Sequence, residues 1–405
     1  MKCSIINIGK TNMSDQLLIR NCKLFNAIEQ DGFVDILIES GSIVQIGKVN
    51  ERQEYASVIN ANERVTAPGF IDVHIQGAGG ADILDGTEEA LVTMSRTLSC
   101  LGTTSFLATT VVKPDRNNRH LKVTARNVNR ELGGAIILGI HLEGPFINGK
   151  KNGGISKNSI FSPSLKAFKE IIDITSDTLK MMTIAPELEG NLGIIYKLVE
   201  DDIIASFGHS NATYIETKKG FSAGIKHVTH IFNAMPSLHH REPGPLLAIF
   251  ESDDITAQII SDGVHVHPGI VNLVYRNIGK DRCICITDGV QAMGLPDGKY
   301  IYNIREYESK DGTAQYLDGT LIGTTLSAWE IARKFMEFTN CSLEIAINTI
   351  TKNPAKLLGI EDKKGSIEVG KDADLVIFDH DNSIWSTIIN GKVVFEKQLR
   401  ILDKD

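Results

Sequence analysis

From residue 67 to about residue 359 the chain repeats one pattern: a short apolar run, a loop, then a stretch with helical spacing. Strands separated by helices run parallel, because each helix carries the chain back to the same end of the sheet, and such crossovers are right-handed. About eight such units in roughly 290 residues fit a (β/α)8 barrel better than a doubly wound sheet. The strand candidates are TSFLATTVV, AIILGIHLE, LKMMTIAPE, DIIASFG, KHVTHIF, TAQIISDG and RCICITDG. Thr87-Glu88-Glu89 opens a helix whose Leu91, Met94, Leu98 and Leu101 fall near one face, with Gly102 as its stop. Helices are also predicted over 213–223 and 327–338.

The two ends of the chain have a different texture. LLIRNCKLF, VDILIES, IVQIG and SVIN near the start, and SIEVG, ADLVIFD, IWSTIING and KVVFE near the end, are short β-rich runs between turn signals. Glu39-Ser40-Gly41-Ser42 reads as a hairpin connection. The economical arrangement is an α/β fold: a TIM-like barrel over 67–362, and one small β-sandwich built from both termini, 1–66 and 363–405. No Gly-x-Gly-x-x-Gly follows a strand and no P-loop occurs, so no nucleotide fingerprint is present.

Composition narrows the function classes. A net charge of −8 and a pI near 5.8 leave no electrostatic footprint for nucleic acid, while an anionic small molecule can still meet a locally positive site. No run approaches the ~20 apolar residues of a membrane span, and MKCSIINIGKTNMSDQ lacks the apolar core of a secretion signal. Cys3, Cys22, Cys100, Cys283, Cys285 and Cys341 are dispersed without a Cys-x-x-Cys pair, which predicts reduced thiols in a cytoplasmic protein.

The ionisable residues are not scattered. Asp72 and His74 follow VTAPGFI, Glu143 closes AIILGIHLE, and His209 follows IIASFG. His230 ends KHVTH, His265 follows IISDG, and Asp288 ends CICITD. All fall at the C-terminal ends of predicted strands, the rim where barrel enzymes build their sites. Taken singly, a strand-end histidine is more often structural, and Asp288 could cap a helix. Two His and one Glu together form a common ligand set for a catalytic divalent metal, with a position left open for water or substrate. A remaining carboxylate, Asp288, is then free to move protons. The set predicts hydrolysis of a C–N or related polar bond. His141, on the same strand face as Glu143, fits packing behind the site better than ligation, and Asp72 fits a structural role.

The segments PGFIDVHIQG, HLEGP, FGHSNA, THIFNAMP, REPG, SDGVHVHP, ITDG and NPAKLLGI…GSIEVGKDADLVIFD, in this order, resemble the N-acetylglucosamine-6-phosphate deacetylases of the amidohydrolase superfamily. The resemblance spans the chain from about Leu17 to Phe395. It implies a divalent metal, zinc first and iron or another divalent ion as alternatives, held by Glu143, His209 and His230. It implies Asp288 as general base and then acid, and His265 beside the substrate acetamide. Asn233 and Ala234 are implied in binding the sugar phosphate, and Gly154 in lining the substrate. Arg241 is implied in reaching the phosphate in the neighbouring site of a homodimer, where a guanidinium fork suits the anion.

Two positions depart from that pattern. Relatives often have His-x-His after PGFID and can hold a second metal there, whereas this chain has His74-Ile75-Gln76, and an amide is a poor ligand, so one metal per subunit is expected, with His74 as at most a weak extra ligand or water partner. Ile155 stands where a substrate-contacting His is often found, which keeps N-acetylgalactosamine 6-phosphate open as the alternative substrate. Cyclic-amide hydrolysis or base deamination would call for His-x-His and often a bridging lysine, and an inactive barrel would have lost ligands; neither describes this chain. His239 and His240 fit either phosphate contacts or a solvated loop. Gly77, Gly79 and Gly80 fit either an anion-cradling nest or a plain turn.

Overall fold

The structure is a computed structural model, and it describes residues 16–26, 32–50, 55–113, 117–302 and 305–397. Eight parallel strands form one continuous sheet in chain order: β1 (Phe70–Ile75), β2 (Thr103–Thr110), β3 (Ile136–Glu143), β4 (Leu179–Ile184), β5 (Ile204–Phe207), β6 (His227–Val228), β7 (Thr256–Ile259) and β8 (Cys283–Cys285). β1 and β2 are buried along their whole length, as strands of a parallel sheet covered by helices must be. The sheet closes where Ile75 bridges Gly289 in parallel, just past β8. At that seam the Asp288 amide donates to the His74 carbonyl (3.0 Å) and the Gln76 amide to the Gly289 carbonyl (2.8 Å). The barrel's last joint is therefore made by the very segments that bear candidate site residues.

The helices start where their caps dictate. Thr87, Thr213 and Ser327 each accept a backbone N–H of the first turn, opening Glu88–Cys100, Tyr214–Ala223 and Ala328–Thr339. Leu91, Met94 and Leu98 are buried as their spacing predicts, and Gly102 adopts a φ of +86°. Among the described helices none is long and apolar enough to cross a membrane.

Strands from both termini join in a second sheet. Gln16–Leu24 pairs with Val34–Glu39 on one side and, past a bulge between Ile19 and Cys22, with Val65–Pro68, which pairs with Leu375–Phe378. The hairpin at 39–42 forms as expected, Glu39 opposite Ser42. Leu17, Ile19, Ile36 and Ile38 pack in one cluster with Leu375, Ile377, Trp385 and Ile388, so the two ends of the chain share a core. Gly69 is the hinge between this sheet and the barrel. A Cβ there would lie 2.2 Å from Thr104 Oγ1, and only glycine permits the approach.

Two features differ from the sequence reading. KHVTHIF is a strand only at His227–Val228, because the backbone turns at His230 into the barrel mouth. Between Gly298 and Thr324 a four-stranded antiparallel sheet interrupts the repeat, its strands Gly298–Tyr302, Arg305–Lys310, Thr313–Tyr316 and Leu321–Thr324 pairing in sequence order. Its alternation of buried Tyr302, Tyr307 and Tyr316 with exposed residues is a half-buried strand pattern inside the parallel repeat. Among the described residues Cys22, Cys283, Cys285 and Cys341 are free thiols. Cys3 lies outside the described residues.

Phe70 locks the barrel to the terminal sheet. Its ring is fully buried, 6.3 Å from that of Trp329 and 6.1 Å from that of Phe378. Phe70→Ala should lower unfolding free energy by about 3–5 kcal/mol, the range for truncating a buried aromatic. Chemical denaturation checks this, and a loss below ~1 kcal/mol would show that the junction does not depend on the ring.

Candidate metal-dependent active site

Three strand ends converge on one carboxylate oxygen. Glu143 is the last residue of β3, while His209 and His230 lie just past β5 and β6. His209 Nε2 stands 2.8 Å and His230 Nε2 3.0 Å from Glu143 Oε1, and the two nitrogens are 3.1 Å apart. All three residues are buried, and their donor atoms lie within 4.8 Å of one another, a grouping that could hold a metal ion. Two imidazole nitrogens on a tetrahedral zinc, each at ~2.0–2.1 Å, would stand ~3.3 Å apart, so the donor set fits. His209 Nδ1 donates to the Lys151 carbonyl (2.7 Å), which turns the Nε2 lone pair toward the cluster.

The local fields suit a cation. Burial pushes the Glu143 carboxyl up, but His209 and His230 outweigh it and hold the group well below the usual range. Burial depresses His230, whereas at His209 it is overcome by Glu143 and the imidazole is raised.

Asp288 lies across the cluster. Burial raises its carboxyl, yet the His74 imidazole prevails and the net direction is down, which keeps Asp288 ionised. His74 is in turn pushed up to about 9 against burial, by Asp288 and then Glu143. His74 Nδ1 bonds Gln258 Oε1 (2.9 Å), while Nε2 sits 3.3 Å from Asp288 Oδ1 without the alignment of a hydrogen bond. Gln76 donates from Nε2 to Asp288 Oδ1 (3.1 Å). His209, His230 and Asp288 have φ of +46°, +27° and +45°. Non-glycine residues are held in that region only where surrounding structure enforces it.

The other candidate residues divide. Gly154, Ile155, Asn233, Ala234 and His265 line the same pocket as the cluster and Asp288. His265 Nδ1 bonds Asp262 Oδ2 (2.6 Å), and Asp262 Oδ1 accepts the amides of Val264 and His265, so the ring is fixed with Nε2 left for the pocket. Arg241 is exposed and does not line the pocket of its own chain; its Nη1 lies 2.7 Å from His240 Nε2. His239 Nδ1 accepts the amides of Arg241 and Glu242. The glycines after Gln76 do not form a nest: the amides of Gly77, Gly79 and Gly80 all donate to the carbonyls of Gly289, Met293 and Gln291. His141 bonds Thr183 (2.8 Å) and Thr109 (3.3 Å) rather than the cluster, and burial holds it well below its usual pKa. Asp72 accepts from Thr287 Oγ1 (2.5 Å) and the His74 amide, which supports the barrel seam.

Several residues of the site escaped the sequence reading. Glu187, past β4, accepts from Asn148, Ser210 and the Asn211 amide, and so fixes the loops beside His209. Its position in LKMMTIAPE, a carboxylate after a strand, was the same signal that marks Glu143. Tyr302, Leu321 and Ile322 reach the pocket from the antiparallel insert, and no local signal announces that.

Residues 65–394 match the amidohydrolase family model. The chain belongs to the amidohydrolase family. The N-acetylglucosamine-6-phosphate deacetylase of Bacillus subtilis (strain 168) is 38% identical over 95% of this chain and 98% of its own length. The N-acetylgalactosamine-6-phosphate deacetylase of Escherichia coli O157:H7 is 32% identical over 88% and 95%. Among solved structures, an N-acetyl-D-glucosamine-6-phosphate deacetylase mutant from Mycobacterium smegmatis, in complex with N-acetyl-D-glucosamine-6-phosphate, superposes with a TM-score of 0.84 at 28% identity. It covers 94% of this chain and 99% of that one.

The geometry predicts about one tightly held divalent ion per chain. His209→Ala should abolish tight binding, because a glutamate and one histidine under-coordinate the ion. Metal analysis after gel filtration checks both; a second full equivalent retained by wild type would place another site at His74.

Proposed function

We infer that this amidohydrolase hydrolyses the acetamide of N-acetyl-D-glucosamine 6-phosphate, giving D-glucosamine 6-phosphate and acetate. One observation carries the reading: an ionised carboxylate, Asp288, shares a pocket with the Glu143–His209–His230 cluster yet is separate from it. A divalent cation held by those three residues, zinc in this proposal, would supply Lewis acidity toward the acetyl oxygen and acidify a water. Asp288 Oδ1 is engaged by Gln76, so Oδ2 is the atom placed to take the water's proton. Asp288 then returns that proton to the departing nitrogen, which leaves as a neutral amine. His265, clamped by Asp262, presents Nε2 to the acetamide. Asn233 and Ala234 face the sugar phosphate.

Arg241 completes the reading. It is exposed and outside its own pocket, as a residue donated across a homodimer interface would be. The acting unit is therefore proposed to be a cytoplasmic dimer with Arg241 bonding the phosphate held by its partner. N-acetylgalactosamine 6-phosphate remains the second substrate reading, because Ile155 gives the pocket an apolar wall where a hydroxyl-reading side chain could stand.

Asp288→Asn should cut kcat at least ~100-fold with metal content retained, and Arg241→Ala should raise KM roughly 30- to 1000-fold. Mixing the two impaired variants under conditions of subunit exchange should restore activity, since one site of a mixed dimer then has both wild-type groups. No recovery despite demonstrated exchange would assign Arg241 to its own chain or to no site.

A further inference from the structure

Gln76 occupies a position that the metal cluster does not use, and the question is what it does there. Its Nε2 donates to Asp288 Oδ1 (3.1 Å), and its Oε1 accepts from the hydroxyl of Tyr302 (2.5 Å). Both side chains are buried and both line the pocket. The polarity of this chain is fixed. An ionised carboxylate only accepts, so Gln76 must turn its NH2 to Asp288; its carbonyl then faces Tyr302, which must donate. Burial raises the Tyr302 phenol well above its usual pKa, so the donor proton is always present.

Tyr302 belongs to the antiparallel insert, and the insert also grips Asp288 through the backbone. The Thr324 amide donates to the Asp288 carbonyl (3.0 Å), and a Cβ on Gly323 would lie 2.1 Å from that same oxygen. Asp288 is thus held at both its carbonyl and its Oδ1 by groups that depend on the insert. Among the described residues no side chain bonds Oδ2, which leaves that oxygen free to accept.

We propose that Tyr302 and Gln76 are positioning residues that orient the Asp288 carboxylate, with Oδ1 tied and Oδ2 free, for proton transfer. The proposal rests on the deacetylase reading above, in which Asp288 is the base. It explains why an amide, rather than a metal-binding imidazole, stands at residue 76: an amide is a donor that neither takes a proton nor competes for the cation. It also gives the insert a role in the reaction, although the insert supplies none of the cluster or of the proton-moving groups.

The test measures acetate release from N-acetyl-D-glucosamine 6-phosphate by the metal-loaded full-length protein. Tyr302→Phe should lower kcat roughly fivefold, the worth of one neutral hydrogen bond. Gln76→Leu, which loses the bond to a charged group, should lower it roughly 10- to 100-fold. KM and bound metal should stay within about twofold of wild type in both. In an Asp288→Asn background neither change should reduce the residual rate further, because the group they orient no longer accepts a proton. Further loss in that background, an effect on KM alone, or an unchanged kcat in both single variants would overturn the proposal. Should Tyr302→Phe lower stability or metal content, Gln76→Leu decides by the same criteria. A wild-type protein that releases no acetate would instead overturn the deacetylase reading.

Discussion

Two imidazole nitrogens stand 3.1 Å apart around a single oxygen of Glu143, all of them buried. With both Nε2 atoms unprotonated, as metal ligation requires, the imidazoles would present lone pairs to each other and to a buried carboxylate that has no water to solvate it. An arrangement of this kind is held against its own electrostatics by the surrounding structure, and a cation is what relieves it. Much of the barrel mouth serves that constraint. The Lys151 carbonyl sets the His209 tautomer, Glu187 ties the loops on either side, and left-handed backbone at His209 and His230 turns the rings inward.

The same logic extends to the proton-moving side. Asp288 sits on the seam where the barrel closes, bonded through its backbone to β1 and to the insert. Closing the sheet and placing the proposed base are one event, so packing that stabilises the seam also fixes the distance between Asp288 and the cluster. Asp72 and Thr287, buried just behind it, contribute by bonding across the seam rather than by touching substrate. A disturbance of the terminal sheet would reach the site through Phe70, which begins β1.

Much of this was legible in the chain because periodicity and position at strand ends are local signals. The parallel repeat, the hairpin at 39–42 and the helix caps follow from short-range chemistry, and Glu143, His209, His230 and Asp288 follow from their places after apolar runs. What was not legible depends on contacts between distant segments. Tyr302 meets Gln76 across 226 residues, and no property of either residue announces the partner. The two-residue length of β6 likewise reflects the turn at His230, whereas the sequence continues to look like strand through Phe232. Gly77, Gly79 and Gly80 looked alike as a nest or a turn until their amides were seen to bond the chain after Asp288.

The buried cluster and Asp288 are proposed together to remove an acetyl group from a phosphorylated amino sugar. The most direct measurement is kcat/KM for acetate release from N-acetyl-D-glucosamine 6-phosphate, beside the 4-epimeric 6-phosphate and the unphosphorylated sugar. Acetate and free amine are expected in equal amounts, with the phosphorylated sugar preferred over the unphosphorylated one by roughly 30-fold or more, the worth of a charge-assisted phosphate contact. Equal rates with and without phosphate, or no acetate from either phosphorylated epimer, would contradict it.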